Sequence, residues 1–386
     1  MTIIPEQFRV TNNLELVRGK RVLVRVDLNI KTRGGELDDR HRLQVAKDIV
    51  KLLKPAKQII LISHLGRPKK HDRALSLRKV LPLLPGFNFC DWRPGRALPE
   101  KRLLLLENLR FFPEEEQGNL GFANDLSTLA DVFVNEAFPA SHREHSSIAW
   151  LPKFLPSYFG PRFCLEIEQL NRVFIQERGL IFILGGAKLE TKLPLITRFL
   201  PRAELVALGG GVANTFLAAK GLEVGRSLYD KNLVSQIARL DRRKLLAPCD
   251  VVIERVVRGR RTVMTIPVKM IASRDVVLDV GPATIELFIR ELIKARLIVW
   301  NGPLGQFEDP RFARGTTALA KYLATLKANL IVGGGDTLNA IARDRLQKKL
   351  ESPARSGKTF LSTGGGAMLQ YLADGTLPGI EAILKR

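Results

Sequence analysis

Cationic and hydrogen-bonding side chains recur just after short apolar runs in the first part of this sequence. They are Asp27 and Asn29, then His64 and Arg67, then Arg110, then His142 and Arg143. Arg25 lies inside one such run and Arg42 follows it. Arginine presents a planar fork of donors that matches phosphate and carboxylate. The set therefore points to an anionic, phosphorylated ligand. Arg25, being inside a run, is equally read as the partner of a buried acid. Glu107 has no neighbour that would tune it as a base and reads as structural. Glu114-Glu115-Glu116 reads as a solvated turn, and His71 and His145 as loop residues.

The later part ends its apolar runs in glycine: Gly185-Gly186, Gly209-Gly210-Gly211, Gly333-Gly334-Gly335 and Gly364-Gly365-Gly366. Such turns free amides to meet phosphate oxygens, and a following helix N-terminus adds a favourable dipole. None fits the dinucleotide fingerprint, since Asn214, Leu338 and Leu369 occupy its third glycine position. Ser356-Gly357-Lys358-Thr359 resembles the end of a P-loop, but Ser352 stands where the first glycine belongs. Lys358 is better read as a strand-edge solubiliser. Asp336 and Thr337 follow a glycine turn and open a predicted helix. Capping accounts for both types; the chemical alternative is a phosphate on Thr337 and Mg²⁺ oriented by Asp336. Lys188 and Lys192, four apart, are predicted on one face of a helix's first turns. Two cations there oppose the macrodipole, a conflict that a phosphate ligand resolves.

The elements that must carry these residues are legible. Apolar runs at Arg21–Asp27, Gln58–Ser63, Arg102–Leu106 and Asp131–Asn135 alternate with helical patterns. So do those at Leu180–Leu184, Glu204–Leu208, Leu297–Trp300, Asn329–Val332 and Thr359–Ser362. Alternation of this kind predicts parallel strands with crossover helices, an α/β fold. Ligands then lie beyond the carboxyl ends of the strands. The change from cationic to glycine endings predicts two domains with different ligands. The join falls near 155–178, where Leu165–Leu170 reads as a helix after a proline-rich stretch.

A chain of 386 residues with 45% hydrophobic and 26% charged side chains is globular. No apolar run reaches the roughly 18–20 residues of a bilayer span, and the first residues do not form a secretory signal. Cys90, Cys164 and Cys249 match no zinc or disulfide spacing, so a reducing, cytoplasmic setting is expected. The net charge is +22, from 61 Lys+Arg against 39 Asp+Glu. Such a surface attracts polyanions and phosphorylated metabolites.

Taken together, these segments closely resemble phosphoglycerate kinase nearly from end to end. The resemblance rests on Arg25-Val26-Asp27-Leu28-Asn29, Ser63–Pro68, Glu107–Phe111, His142-Arg143 and Leu184–Lys188. It continues through Gly209–Phe216, Trp300–Pro303, Phe307-Glu308, Gly333–Thr337 and Ser362–Ala367. Residues 226–275 match only in length. Leu28, Lys31, Pro139, Thr191, Gln306 and Met368 depart from the family pattern, Pro139 stiffening the turn before His142-Arg143.

The resemblance implies two doubly wound, Rossmann-like domains joined by a helix and hinge. A phosphoglycerate domain would span 1–160 and a nucleotide domain 175–369. An interdomain helix would span 161–174, and the tail 370–386 would pack back on the first domain. It implies phosphoryl transfer between 1,3-bisphosphoglycerate and MgADP, with closure bringing both substrates together. Asp27, Leu28, Asn29, Arg42, His64, Leu65, Gly66, Arg67, Arg110 and Arg143 would hold the phosphoglycerate. Lys188, Lys192, Gly210, Glu308, Gly334, Gly335, Asp336 and Thr337 would hold the nucleotide, with Glu308 on the ribose and Asp336 on its Mg²⁺. Arg42, Lys192 and the amides of Gly365 and Gly366 would neutralise the transferring phosphoryl group. No general base is needed, because carboxylate and phosphate nucleophiles are already ionised at neutral pH. A basic binding module on the same fold is the competing reading. It has no reason to keep Arg42, Lys192, Glu308 and Asp336 together. A nucleotide-dependent ligase is a third reading, disfavoured by the near full-length match. A monomer with no membrane contact and weak, sequence-independent polyanion binding is expected.

Overall fold

Two six-stranded sheets, every strand parallel to its neighbours, organise the chain. The structure is a computed structural model. It describes residues 1–12, 14–30, 32–33, 36–37, 40–343, 345–352, 355 and 357–385. Lys31 and Ser356, singled out above, lie outside these residues. The chain divides into two compact units, Met1–Glu168 with Asp374–Arg386, and Gln169–Ala373.

In the first unit the sheet runs Asn88–Cys90, Leu103–Leu106, Gln58–Ile62, Arg21–Arg25, Val132–Asn135, Ser157–Phe159. Successive strand residues point to opposite faces, and both faces are covered. Val22, Val24, Ile59 and Leu61 pack with Leu43, Ala46 and Ile49 of the helix Arg40–Leu52. Leu23, Ile60, Leu104 and Phe133 pack on the other side with Phe122 and Leu126. Burial on two faces is why these strands read as continuous apolar runs. The final segment joins this unit, with Gly379 N–H donating to Ser141 O at 2.9 Å and Thr2 Oγ1 to Gly375 O at 2.7 Å.

In the second unit the order is Leu245–Leu246, Leu205–Leu208, Leu180–Leu184, Leu297–Asn301, Asn329–Gly333, Thr359–Ser362. Ile181, Ile183, Ile298, Trp300, Leu330 and Val332 form one core with Phe288, Leu319 and Leu323. All nine predicted runs are strands, with ends shifted by no more than two residues. The predicted helix at Leu165–Leu170 extends over Pro161–Ile175, and the units divide within it.

Three edge strands, Asn88–Cys90, Ser157–Phe159 and Leu245–Leu246, are too short to show a period. A separate antiparallel sheet, Arg260–Pro267, Asp250–Val257 and Val276–Val280, also escaped the reading of the sequence. Its signal was present in the β-branched runs on either side of Arg258-Gly259, both at positive φ (50° and 76°).

Two local expectations are corrected. Glu114-Glu115-Glu116 is not a solvated turn but part of the helix Pro113–Gln117, with Glu115 fully buried. Pro113 sets the first helical turn, and Glu115 finds buried donors. Lys188 and Lys192 do not lie on a helix. They belong to a loop closed by Lys192 N–H donating to Leu189 O at 2.8 Å, and the helix Leu193–Phe199 begins only afterwards. Pro194, favoured in a first turn, marks that start, and buried Leu189 anchors the loop.

Candidate active site

Because the strands of the first sheet are parallel, the segments after them emerge along one edge. Asp27, Leu28 and Asn29 follow the first strand, His64–Arg67 the second, and Arg110 and Arg143 the next two toward each side. A chain of contacts links them. Arg42 Nε pairs with Asp27 Oδ2 at 2.9 Å, and Arg42 Nη1 donates to Asn29 O. Asn29 Oδ1 accepts from Gly66 N–H at 2.9 Å, and Gly66 O accepts from Arg110 Nη1 at 2.6 Å. Arg110 Nε pairs with Glu116 at 2.9 Å. Leu28 and Leu65 are buried, so each offers only its backbone: Leu28 N–H donates to Ser63 Oγ, and Leu65 O accepts from Asn108 Nδ2, each at 2.8 Å. Arg67 is exposed beside Lys69, Lys70 and Arg73, and Arg143 is half-buried.

The electrostatics are those of a site short of negative charge. Burial lowers Arg110 to about 10, partly offset by Glu116 and furthered by Arg143, Arg25 and Arg67. Burial, with the surrounding arginines, holds His64 well below its ordinary range, His142 at about 4 and His145 at about 3. Crowded cations and neutral imidazoles suit a polyanionic ligand, whose charge relieves the repulsion. Glu107 is structural, accepting from Ser76 Oγ, Leu77 N–H and Asn108 N–H at 2.7–2.9 Å. The acid partner of Arg25 is reached through a hydroxyl: Arg25 Nε donates to Ser147 Oγ at 3.1 Å, which donates to Glu115 at 2.6 Å.

In the second unit the glycine loops pack on one another. A Cβ on Gly185 would lie 2.2 Å from Pro303 O, so that glycine is required by contact between two backbones. Gly335 is different: a Cβ there would meet nothing within 4 Å. Open space thus lies at the start of the helix Gly335–Arg343, beside Gly334 at φ 102°. Asp336 is exposed there. Thr337 is fully buried, its Oγ1 accepting from Gly302 N–H at 2.7 Å, so its side chain ties two loops together. Gly365 and Gly366 begin the helix Gly365–Asp374 after the last strand.

Lys192 is buried, with Nζ donating to Lys188 O at 3.2 Å and Thr191 Oγ1 at 3.3 Å. An ammonium has three donors, so one more acceptor completes it. Burial lowers its pKa, Asp336 opposes this, and exposed Lys188 adds to it. A cavity of about 290 Å³ opens beside these loops, walled by Val276, Leu278, Val280 and Leu304, with Gly186, Gly210, Glu308 and Asp336 at polar positions. Its apolar wall comes largely from the antiparallel sheet and was not foreseen. Asp279 also lines it, accepting from Val280 and Gly315 N–H, and burial raises it to about 7. A largely apolar cavity beside amides, a carboxylate and a buried lysine can take a base, a ribose and phosphates.

Comparison with known proteins agrees with this chemistry. The family model described as phosphoglycerate kinase matches residues 12–375. Phosphoglycerate kinase of Pelotomaculum thermopropionicum is 38% identical, covering 96% of this chain and 98% of its own length. That of Thermomicrobium roseum is 39% identical, covering 98% and 99%. The solved phosphoglycerate kinase of Coxiella burnetii superimposes with a TM-score of 0.79 at 31% identity, covering 98% of each chain. A family match over residues 12–375, with relatives at 38–39% identity over nearly the whole length, shows that the chain belongs to the phosphoglycerate kinase family.

Proposed function

We propose that the chain catalyses reversible phosphoryl transfer from 1,3-bisphosphoglycerate to MgADP, giving 3-phosphoglycerate and ATP in glycolysis. The observation that supports it most is the Arg42–Asn29–Gly66–Arg110 linkage, which organises cations along one sheet edge. In the forward direction an ADP β-phosphate oxygen attacks the acyl phosphorus, and the carboxylate leaves as the acyl O–P bond breaks. No proton moves. The chain's task is positioning and neutralisation of equatorial charge. Arg42 and Arg110 hold the phosphoglycerate, with Asp27, Asn29, His64, Arg67 and Arg143 fixing its orientation. Arg42, Lys192 and the amides of Gly365 and Gly366 act on the transferring group. Glu308 takes the ribose, and the amides of Gly334–Thr337 take phosphate.

The residues fit a magnesium ion carried in with the nucleotide. Asp336 is an exposed carboxylate at the open helix start, and magnesium commonly takes one or two carboxylates alongside phosphate oxygens. Bound there, the ion would neutralise charge on the nucleotide phosphates. The cytoplasmic, monomeric setting expected from the sequence belongs to the same proposal. Coupled measurement of ATP formation from 1,3-bisphosphoglycerate, ADP and Mg²⁺ tests the activity. Turnover that requires the divalent ion is expected; no turnover by folded protein at saturating substrate overturns the reading.

A further inference from the structure

Arg25 is fully buried, and a guanidinium cannot shed its proton there. Its contacts run in one direction. Nη1 donates to Val26 O at 2.8 Å and Nε to Ser147 Oγ at 3.1 Å. Ser147 Oγ–H donates to Glu115 Oε1 at 2.6 Å, while its N–H donates to Glu115 Oε2 at 3.0 Å. Glu115 is also fully buried, and both its oxygens accept, as an ionised carboxylate must. Burial pushes that carboxyl up, while Arg25 and Ser147 pull it back. The remaining arm, Arg25 Nη2, lies 3.1 Å from His64 Nδ1. Guanidinium nitrogens only donate, so Nδ1 must accept and the ring's single proton must sit on Nε2.

We propose that Glu115, Ser147 and Arg25 are positioning residues that hold the His64 imidazole in its Nε2–H tautomer, so that His64 meets phosphoglycerate as a neutral donor. The ligand in this statement rests on the function proposed above; the tautomer does not. The relay explains why a fully buried acid lies behind a cationic site. Glu115 anchors Ser147, Ser147 orients Arg25, and Arg25 denies Nδ1 a proton. A protonated His64 would set N–H against N–H across 3.1 Å.

The test uses the whole chain labelled with ¹⁵N. Long-range proton–nitrogen spectra at about neutral pH read the tautomer of each of the five histidines, with His64 assigned by its loss in His64→Gln. The expected result is a bare Nδ1 and a protonated Nε2. In Ser147→Ala and in Glu115→Gln, Nδ1–H should become populated. The KM for 3-phosphoglycerate should rise roughly fivefold, as for loss of one oriented hydrogen bond, with the KM for ATP unchanged. A wild-type His64 carrying its proton on Nδ1, or on both nitrogens, overturns the proposal. An unchanged tautomer in both variants, folded by circular dichroism, overturns the parts given to Ser147 and Glu115. The expected tautomer in a protein without kinase activity would sink the functional reading and leave the relay standing.

Discussion

Arg42 is anchored twice, by the Asp27 carboxylate and the Asn29 carbonyl, with its guanidinium fixed in orientation. Preorganisation of this kind favours a role in the transition state over one in ground-state binding. Arg42→Ala should therefore lower kcat far more than it raises KM, by on the order of 3–4 kcal/mol in barrier. Steady-state kinetics decides: a wild-type kcat with only KM raised would make Arg42 a ground-state binder. His145 shows how burial outweighs a nearby acid. Its Nδ1 lies 3.8 Å from Glu115, yet burial and Arg25, Arg110 and Arg143 hold it at about 3 against an ordinary 6.5. The unfolded chain then takes up that proton first, so this contribution to stability is whole above about pH 6.5 and lost as pH falls toward 3. Replacing His145 by Gln should flatten the acid limb of denaturant-derived stability relative to wild type. An identical pH dependence in the two proteins would remove His145 from that role.

At the scale of elements, the two sheets solve the same problem with different loops. Side chains from the loops of the first sheet carry the cations, so those loops are tied by side-chain hydrogen bonds such as Asn29 to Gly66. Loops of the second sheet bring backbones together. Gly185→Ala would force a Cβ to 2.2 Å from Pro303 O, and relief requires backbone to move. A loss of roughly 1–3 kcal/mol in stability is expected, the usual cost of overpacking. Because Pro303 and Gly186, the neighbour of Gly185, line the cavity, the KM for ATP should rise more than that for 3-phosphoglycerate. Thermal denaturation and the two KM values check this; equal rises in both would show that the effect is not confined to the second unit. Strand positions were legible because each is a continuous apolar run. The antiparallel sheet was not legible in the same way, since its almost wholly exposed strand Arg260–Pro267 forms no continuous apolar run.

For the whole molecule, the charge of +22 is the property least explained by the reaction. Arg67, Lys69, Lys70 and Arg73 gather around one exposed depression, so part of the excess is concentrated. Weak, sequence-independent binding to duplex DNA is expected at low salt, governed by counterion release. DNA should also compete with phosphoglycerate, because Arg67, proposed to orient phosphoglycerate, also lines this depression. Both effects should fade at physiological ionic strength, where the screening length is about 8 Å. A titration with labelled duplex and a parallel inhibition assay at two salt concentrations test this. Tight, sequence-selective binding that survives physiological salt would contradict it.

The strands, and the candidate residues that follow them, were legible in the sequence alone. A continuous apolar run, glycine after a strand and a cation at a strand end are local properties, written within a few residues. What only the tertiary structure decided was the state of those residues. Arg25, Glu115 and Ser147 are far apart in the chain, and only burial together makes them one network. Lys192 is off the helix that the spacing predicted, because buried Leu189 and Pro194 delay its start. The cavity wall needed Val276–Val280 brought against Leu304. Burial, desolvation and the partner of a charge depend on distant segments meeting, and no local pattern records them.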